Sequence, residues 1–397
     1  MAHCSAFTQP RYRQYFPASC FSTLAGWLMR FLFGWKAWEL THSALWVGVL
    51  AGAMLLPTIA FSPFFGIVSD RINPRNGLLV TIFMYGLVAS ITGIAGTLNL
   101  LSLPLLTALS IALGVVMSAH TPIRLALVPR LVKRQALPSA IGYNSVIFNI
   151  SRVAGPAIGA WLITVVSVPY AFFLVTGLCI ASIAVIASIK GIAKKDREKS
   201  LGFFSELRAG FAYAAQHPVI RLIFAFVLLN GFLGRTLLEL LPALSGQLLN
   251  GTADTLATLS AAAGAGAIAG GLLVSRQGGS DKVLFRLVAI NLVLSSLCLL
   301  SIQWLSGPRE FTALVFILSL ATSVSGIGSQ ALTQLTVEEA YRGRIISLWA
   351  MLAVGSPAIG AVAVGAMAQT WGFAVICAAI ALVTLALLGI LRLILRK

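Results

Sequence analysis

The stretch Gly66-Ile-Val-Ser-Asp70-Arg71-Ile-Asn-Pro-Arg75 interrupts an otherwise apolar sequence. Three of its residues, Asp70, Arg71 and Arg75, carry charge. Apolar residues from Ala44 to Val68 lead into it, and a second apolar run, Gly77 to Leu98, leads out. Each run exceeds the ~20 residues that carry a helix across a bilayer. The spacing predicts a tight, charged loop at a membrane surface, joining two spans. A worn copy, Gly271-Leu-Leu-Val-Ser275-Arg276, follows about 205 residues later.

Working outward, 58% of the 397 residues are hydrophobic and only 10% are charged. A soluble chain carries about a quarter charged residues. Runs long enough to span lie near 15–38, 44–68, 77–98, 103–128, 139–166, 168–189, 219–244, 254–275, 283–304, 311–336, 345–368 and 371–391. The expected class is an all-α polytopic membrane protein with twelve transmembrane helices. A β-barrel needs short alternating segments, which the sequence lacks. The first run, Tyr15 to Trp38, is too long for a signal-peptide core and is followed by no small-residue cleavage site, so it reads as an uncleaved span. The five cysteines, Cys4, Cys20, Cys179, Cys298 and Cys377, are scattered without metal-ligand spacing and read as small core residues, so no metal site is expected.

The net charge of +17 is explained by topology. With both termini in the cytoplasm, twenty-two of the 28 Lys and Arg fall on the cytoplasmic side, Lys36 and Arg309 fall outside, and four lie within spans. That bias orients the protein and removes the case for nucleic-acid binding. Trp35, Trp38, Trp46, Trp161, Trp304 and Trp371 sit near outer span ends, where an interfacial belt belongs.

The expected organisation is an N-terminal six-helix half (1–189), a cytoplasmic linker (190–218) and a C-terminal six-helix half (219–397). The linker holds an apolar stripe, Phe203, Phe204, Leu207 and Phe211, that predicts an amphipathic helix on the inner membrane surface. An offset of 205 pairs Arg30 with Arg235, Gly66 with Gly271 and Ser118 with Ser323. After a four-residue shift, Gly155-Pro-Ala-Ile-Gly159 pairs with Ser356-Pro-Ala-Ile-Gly360. Parallel six-span repeats imply a substrate site at the repeat interface. Transport is therefore the economical reading, and a receptor has no need of that symmetry.

These motifs resemble the major facilitator superfamily. Gly66, Asp70, Arg71 and Arg75 are similar to its loop signature between spans two and three, although Asn73, Pro74 and Asn76 depart from the usual pattern. Gly155, Pro156 and Gly159 resemble the antiporter signature of its drug-exporter branches, and Arg342-Gly343-Arg344 resembles the matching loop of the second half. A narrower likeness, through His42-Ser-Ala-Leu-Trp46-Val-Gly48, Pro129–Arg134 and Arg152-x-x-Gly155-Pro156, is to the branch containing the enterobactin exporter and macrolide efflux proteins. The resemblance implies two pseudo-symmetric six-helix halves and export driven by a proton gradient; residence in a bacterial-type inner membrane, as a monomer and without a cofactor, is expected. It also implies a gating role for Gly66, Asp70, Arg71, Arg75, Gly155, Pro156, Gly159, Arg342 and Arg344. A polar latch at the inner surface and a proline bend in span five are the physical versions of that role.

Ionisable residues inside spans are expensive and mark function. Arg30, Arg124, Arg152 and Arg235 lie within spans, against one clear acid, Glu239. Arg30 and Arg235 are repeat mates and are expected to face each other across a cavity. Arg235 and Glu239, four residues apart, can also pair on one helix face. Together the arginines predict an electropositive site for a small anionic substrate, since a guanidinium fork grips carboxylate. Glu239 and His120 are the candidate proton carriers. The leading expectation is a proton-coupled exporter of an anionic metabolite, most concretely a siderophore. Broad drug export is the alternative, followed by lysophospholipid or lipid transport and a non-transporting receptor. With His3, His42, His120 and His217 apart in sequence, no catalytic constellation assembles, so an enzyme is not expected.

Overall fold

The quoted stretch proves to be more helix than loop. A computed structural model describes residues 6–133, 136–189, 203–275, 281–338 and 341–394. In it, helix α2 (Ala44–Arg71) carries Gly66 to Arg71 on its last turns, and α3 (Pro74–Thr97) starts three positions on. Asn73 caps α3 by accepting a 3.0 Å hydrogen bond from the Arg75 N–H. Pro74 occupies the first turn, where its missing donor costs nothing. The connection is thus Ile72–Asn73 alone, and the charges sit on helix ends.

The other helices are α1 (Pro10–Thr41), α4 (Leu103–Leu131), α5 (Leu137–Val165), α6 (Val168–Ser188), α7 (Phe203–Gln216) and α8 (Pro218–Asn230). After a π-helical turn, Gly231–Arg235, come α9 (Thr236–Glu239), α10 (Leu241–Leu249), α11 (Ala253–Ser275) and α12 (Asp281–Ser301). The last three are α13 (Pro308–Thr336), α14 (Arg342–Trp371) and α15 (Phe373–Ile394). Among the described residues there is no strand. Among the described residues, eleven helical segments are long and apolar enough to cross a membrane. Helix α1 is not among them, because Arg30, Lys36 and Glu39 dilute its apolar character, yet its 32 residues reach ~48 Å, longer than any bilayer core. The seventh span ends earlier than its apolar run suggests. Leu240 breaks the helix and α10 restarts with Pro242 in its first turn.

By contact the chain forms two compact units: Met1–Leu40 with Ala53–Lys199, and Thr41–Gly52 with Ser200–Lys397. In the first, α3 packs on α4 and α6. Gly86 faces Cys179, Gly93 faces Phe173 and Gly96 faces Pro169. Small residues let the helices approach, which in lipid replaces the missing hydrophobic drive. In the second unit, α12 packs correspondingly on α13 and α15, and α11 lies along α13. There Gly266 and Gly270 meet the α13 backbone, and Ser319 Oγ donates to the Ala263 carbonyl.

The internal repeat holds at the level of contacts. In the first unit Gly155 and Gly159 of α5 seat against Trp27, Leu28 and Phe31 of α1. In the second, Gly231 seats against Ser356 of α14, and Gly360 against Phe232 and Thr236. Shifted by 205 for α1 and 201 for α5, the first set maps onto the second: Trp27 on Phe232, Gly155 on Ser356 and Gly159 on Gly360.

The linker stretch forms helix α7, which also carries a packing face. Gly210 of α7 lies on Arg344 and Leu348, and Ala214 is buried with Ile220, Val337, Ile345 and Leu348. Tyr213 stacks on Tyr341 at 4.3 Å and 12°. Phe211 remains exposed, free to meet a membrane surface, while the side chains of Phe203, Phe204 and Leu207 lie outside the described residues. One face of α7 is therefore a packing face built on small residues.

Candidate functional site

Two of the buried arginines share one ring. Trp27 and Arg30 are one turn apart on α1, and Arg152 reaches the same indole from α5. The guanidinium carbons lie 5.3 Å (Arg30) and 5.7 Å (Arg152) from the Trp27 centroid, within cation–π range. The two cations are therefore no farther apart than 11.0 Å, the sum of those distances. Phe148, one turn before Arg152, fixes the indole edge-on at 5.3 Å. Gly155 lets α5 come close enough for the whole set to form.

Nearby in the same unit, α4 presents His120 and Arg124 four residues apart on one face. Arg124 Nη1 donates to Thr23 Oγ1 of α1 at 3.4 Å. Thr81 Oγ1 of α3 donates to the Leu78 carbonyl at 3.0 Å and also lies 3.1 Å from His120 Nδ1. Tyr85 meets the imidazole edge-on at 6.0 Å. Arg30, Arg124, Arg152 and His120 are all half-buried. A guanidinium turned toward hydrocarbon costs at least ~2.5–3.5 kcal/mol, which assigns their accessible surface to a polar interior.

In the second unit, Arg235 closes the π-helical turn and Glu239 ends α9, both half-buried. π turns inside helices concentrate at functional sites. Here the Gly231 carbonyl accepts both the Thr236 N–H and, at 2.8 Å, its hydroxyl. Gly234 lets Thr322 of α13 pack against the turn, and Asn230 Nδ2 donates to the Thr322 carbonyl at 3.2 Å. The repeat places Ser325 and Ser329 of α13 where the first unit has His120 and Arg124. Ser329 Oγ accepts from Trp349 Nε1 at 3.3 Å. One unit thus carries three arginines and a histidine, and the other carries hydroxyls, Arg235 and Glu239.

The gating candidates divide. Arg75 donates through Nε and Nη2 to the Ile186 and Ala187 carbonyls, at 3.1 and 2.6 Å, tying the start of α3 to the end of α6 within one unit. Gly155 and Gly159 form the α1–α5 contact, with Pro156 inside α5. Arg344 lies 5.6 Å from the Tyr341 ring and against Gly210 of α7. The side-chain surroundings of Gly66, Asp70, Arg71 and Arg342 lie outside the described residues. Sequence reasoning missed Trp27 and the π turn. The signals present were the three-residue Trp27–Arg30 spacing and two glycines, Gly231 and Gly234, inside an apolar helix. Among the described residues no three His, Cys, Asp or Glu side chains gather as a metal site.

A repeated six-helix membrane fold, with arginines in its polar interior, defines a secondary transporter. Residues 1–397 match the model of the family described as transmembrane secretion effector, and the chain belongs to that family of the major facilitator superfamily. It is 23% identical to the staphyloferrin A transporter of Staphylococcus aureus, over 91% of this chain and 90% of that one. Identity to macrolide efflux protein A of Streptococcus pyogenes is 26%, over 78% and 77%. The crystal structure of the nucleoside transporter NupG superimposes with a TM-score of 0.74 at 12% identity, covering 98% of this chain and 100% of the other. A human organic anion transporter gives 0.68 at 15%, covering 96% and 99%. The fold is the major facilitator fold, and the protein is a multi-pass membrane transporter rather than an enzyme.

Proposed function

We propose that this transporter is a proton-coupled exporter of a small anionic metabolite, of the siderophore class, working by alternating access. The observation that carries the reading is the pair Arg30 and Arg152 held on one indole. Substrate contacts are assigned to Arg30, Arg124, Arg152 and Arg235. Glu239 carries the coupled proton, with His120 as the alternative carrier. The staphyloferrin A transporter supports a siderophore cargo. Gly66, Asp70, Arg71, Arg75, Gly155, Pro156, Gly159, Arg342 and Arg344 are assigned to gating, Arg75 by fastening α3 to α6 so that they move together. The protein acts as a monomer in a bacterial plasma membrane with both termini in the cytoplasm, and needs no cofactor beyond the proton gradient.

The likeness to macrolide efflux protein A favours a second reading, broad drug export. Uptake into inverted vesicles under an imposed pH gradient separates the two, with a carboxylate siderophore, a catecholate siderophore and a macrolide as probes. The expected result is siderophore accumulation, abolished in Arg30→Ala and Arg235→Ala. Full transport by either variant refutes the substrate assignment, and macrolide uptake alone establishes the second reading. A Glu239→Gln protein that still responds normally to the gradient excludes Glu239 as the carrier.

A further inference from the structure

We infer that Trp27 sets substrate specificity by positioning Arg30 and Arg152 as a two-point clamp for a molecule bearing two closely spaced acidic groups. This rests on the anionic-substrate reading above and narrows it to a class, the short-spaced di- and tricarboxylates.

The two repeats separate packing from binding here. Both pack the same pair of helices through small residues, Gly155 on Trp27 and Gly159 on Phe31 in one, Gly231 on Ser356 and Gly360 on Thr236 in the other. In the second unit the positions matching Trp27, Arg30 and Arg152 are Phe232, Arg235 and Ala353. The contact is therefore made without a second arginine and without an indole. Arg152 adds to the first unit a like charge near Arg30, which packing does not require. Trp27 accounts for how the pair is held, since an indole face is the best aromatic partner for a cation and can serve two at once. Phe148 makes a T-shaped contact with the ring, and Gly155 seats against the Trp27 backbone and Cβ.

The geometry fixes what bridges the pair. With N–H···O bonds of about 2.8 Å, a bidentate guanidinium–carboxylate pair places its two carbons roughly 4 Å apart. Two such pairs fit between cations at most 11.0 Å apart only when the carboxylates lie within a few bonds of each other. A monocarboxylate engages one guanidinium fork, and a dicarboxylate engages both. Trp27 is a positioning residue in this scheme, acting through the arginines.

The test uses the purified full chain and the series butyrate, succinate and tricarballylate at matched ionic strength. Ligand binding is read as the concentration giving half-maximal thermal stabilisation. In the wild type, succinate and tricarballylate are expected to act at roughly 10- to 100-fold lower concentration than butyrate, the worth of a second charged contact. Trp27→Leu is expected to erase that preference, Trp27→Phe to restore much of it, and Arg152→Gln to bring the diacid down to the monoacid level. A leucine variant that binds all three acids with the wild-type ratios overturns the inference, as does a phenylalanine variant no better than leucine. If Trp27→Leu does not fold, Trp27→Phe and Arg152→Gln decide, and an undiminished diacid preference in Arg152→Gln overturns the clamp. Equal binding of all three acids by the wild type also overturns it, while leaving the anionic reading intact. Binding of none of them, with macrolide transport retained, removes both.

Discussion

Replacing Gly155 by alanine tests whether the α1–α5 contact is as tight as it looks. An added Cβ would lie 2.8 Å from Trp27 Cβ, 3.0 Å from the Leu28 nitrogen and 3.0 Å from the Trp27 carbonyl carbon. Two of those neighbours are backbone, so no rotamer change relieves the clash. Carbon atoms prefer ~3.5–4.0 Å, and α1 must therefore move away from α5 by roughly 0.5–1 Å. Overpacking of this kind costs about 1–3 kcal/mol. The gain in helix propensity from glycine to alanine offsets up to ~1 kcal/mol of that.

The control is built into the same unit. Gly177 in α6 has nothing within 4 Å of its notional Cβ and faces outward. Gly177→Ala keeps the propensity gain without the clash and is expected at or slightly above wild-type stability. Unfolding in mixed micelles should rank Gly177→Ala at or above wild type, then Gly155→Ala lower by about 1–2 kcal/mol, with Gly155→Val lowest. Because Trp27 takes the displacement directly, Gly155→Ala should also raise the KM for an anionic substrate more than it lowers kcat. Equal stability of the two alanine variants would refute the claim that backbone approach limits this contact.

Two further expectations concern helix ends. Arg75→Ala removes both bonds to the end of α6 and should destabilise by about 1 kcal/mol at this partly exposed site; Arg75→Lys should restore less than half of it, and full rescue by lysine would mean that charge alone matters there. Tyr213 is the other: its hydroxyl is buried with no hydrogen-bond partner among the described residues. Tyr213→Phe should be neutral or slightly stabilising, whereas Tyr213→Leu loses the stack on Tyr341 and about 0.5–1.5 kcal/mol beyond burial; limited proteolysis around α7 reads both, and a destabilised phenylalanine variant would argue against the packing role.

The span pattern was legible because lipid leaves the sequence little choice. Runs of apolar residues broken by Asn73-Pro74, Ser102 and Ser167 mark helix ends wherever the backbone needs a new cap or water. Helix ends moved when the deciding partner was distant in sequence. Helix α1 starts at Pro10, where Ala6 donates to Ser139 Oγ and Tyr12 to the Ala140 carbonyl, both across more than a hundred residues. The π turn at Gly231 packs against Ser356 and Thr322, and neither is visible from α8 alone. The packing face of α7, built on Gly210 and Ala214, likewise depends on Arg344 and Leu348, more than a hundred residues away.

The site was legible to a different depth, and the repeat explains why. A repeated fold must preserve the contacts that hold its helices together, so an offset search finds Gly155 and Gly159 through Ser356 and Gly360. Charges need not be repeated, and most here are not: Arg152, Arg124 and His120 have Ala353, Ser329 and Ser325 as mates. Their lack of a counterpart, in a setting where each charge is costly, separates function from architecture. What sequence could not supply is the rotation of α5 about its axis that brings Arg152 onto the ring of Trp27. That rotation is set by the seating of Gly155 on Trp27, so the residue that builds the fold also decides where the unrepeated charge points. A glycine that can be read from the repeat thereby controls a binding geometry that cannot.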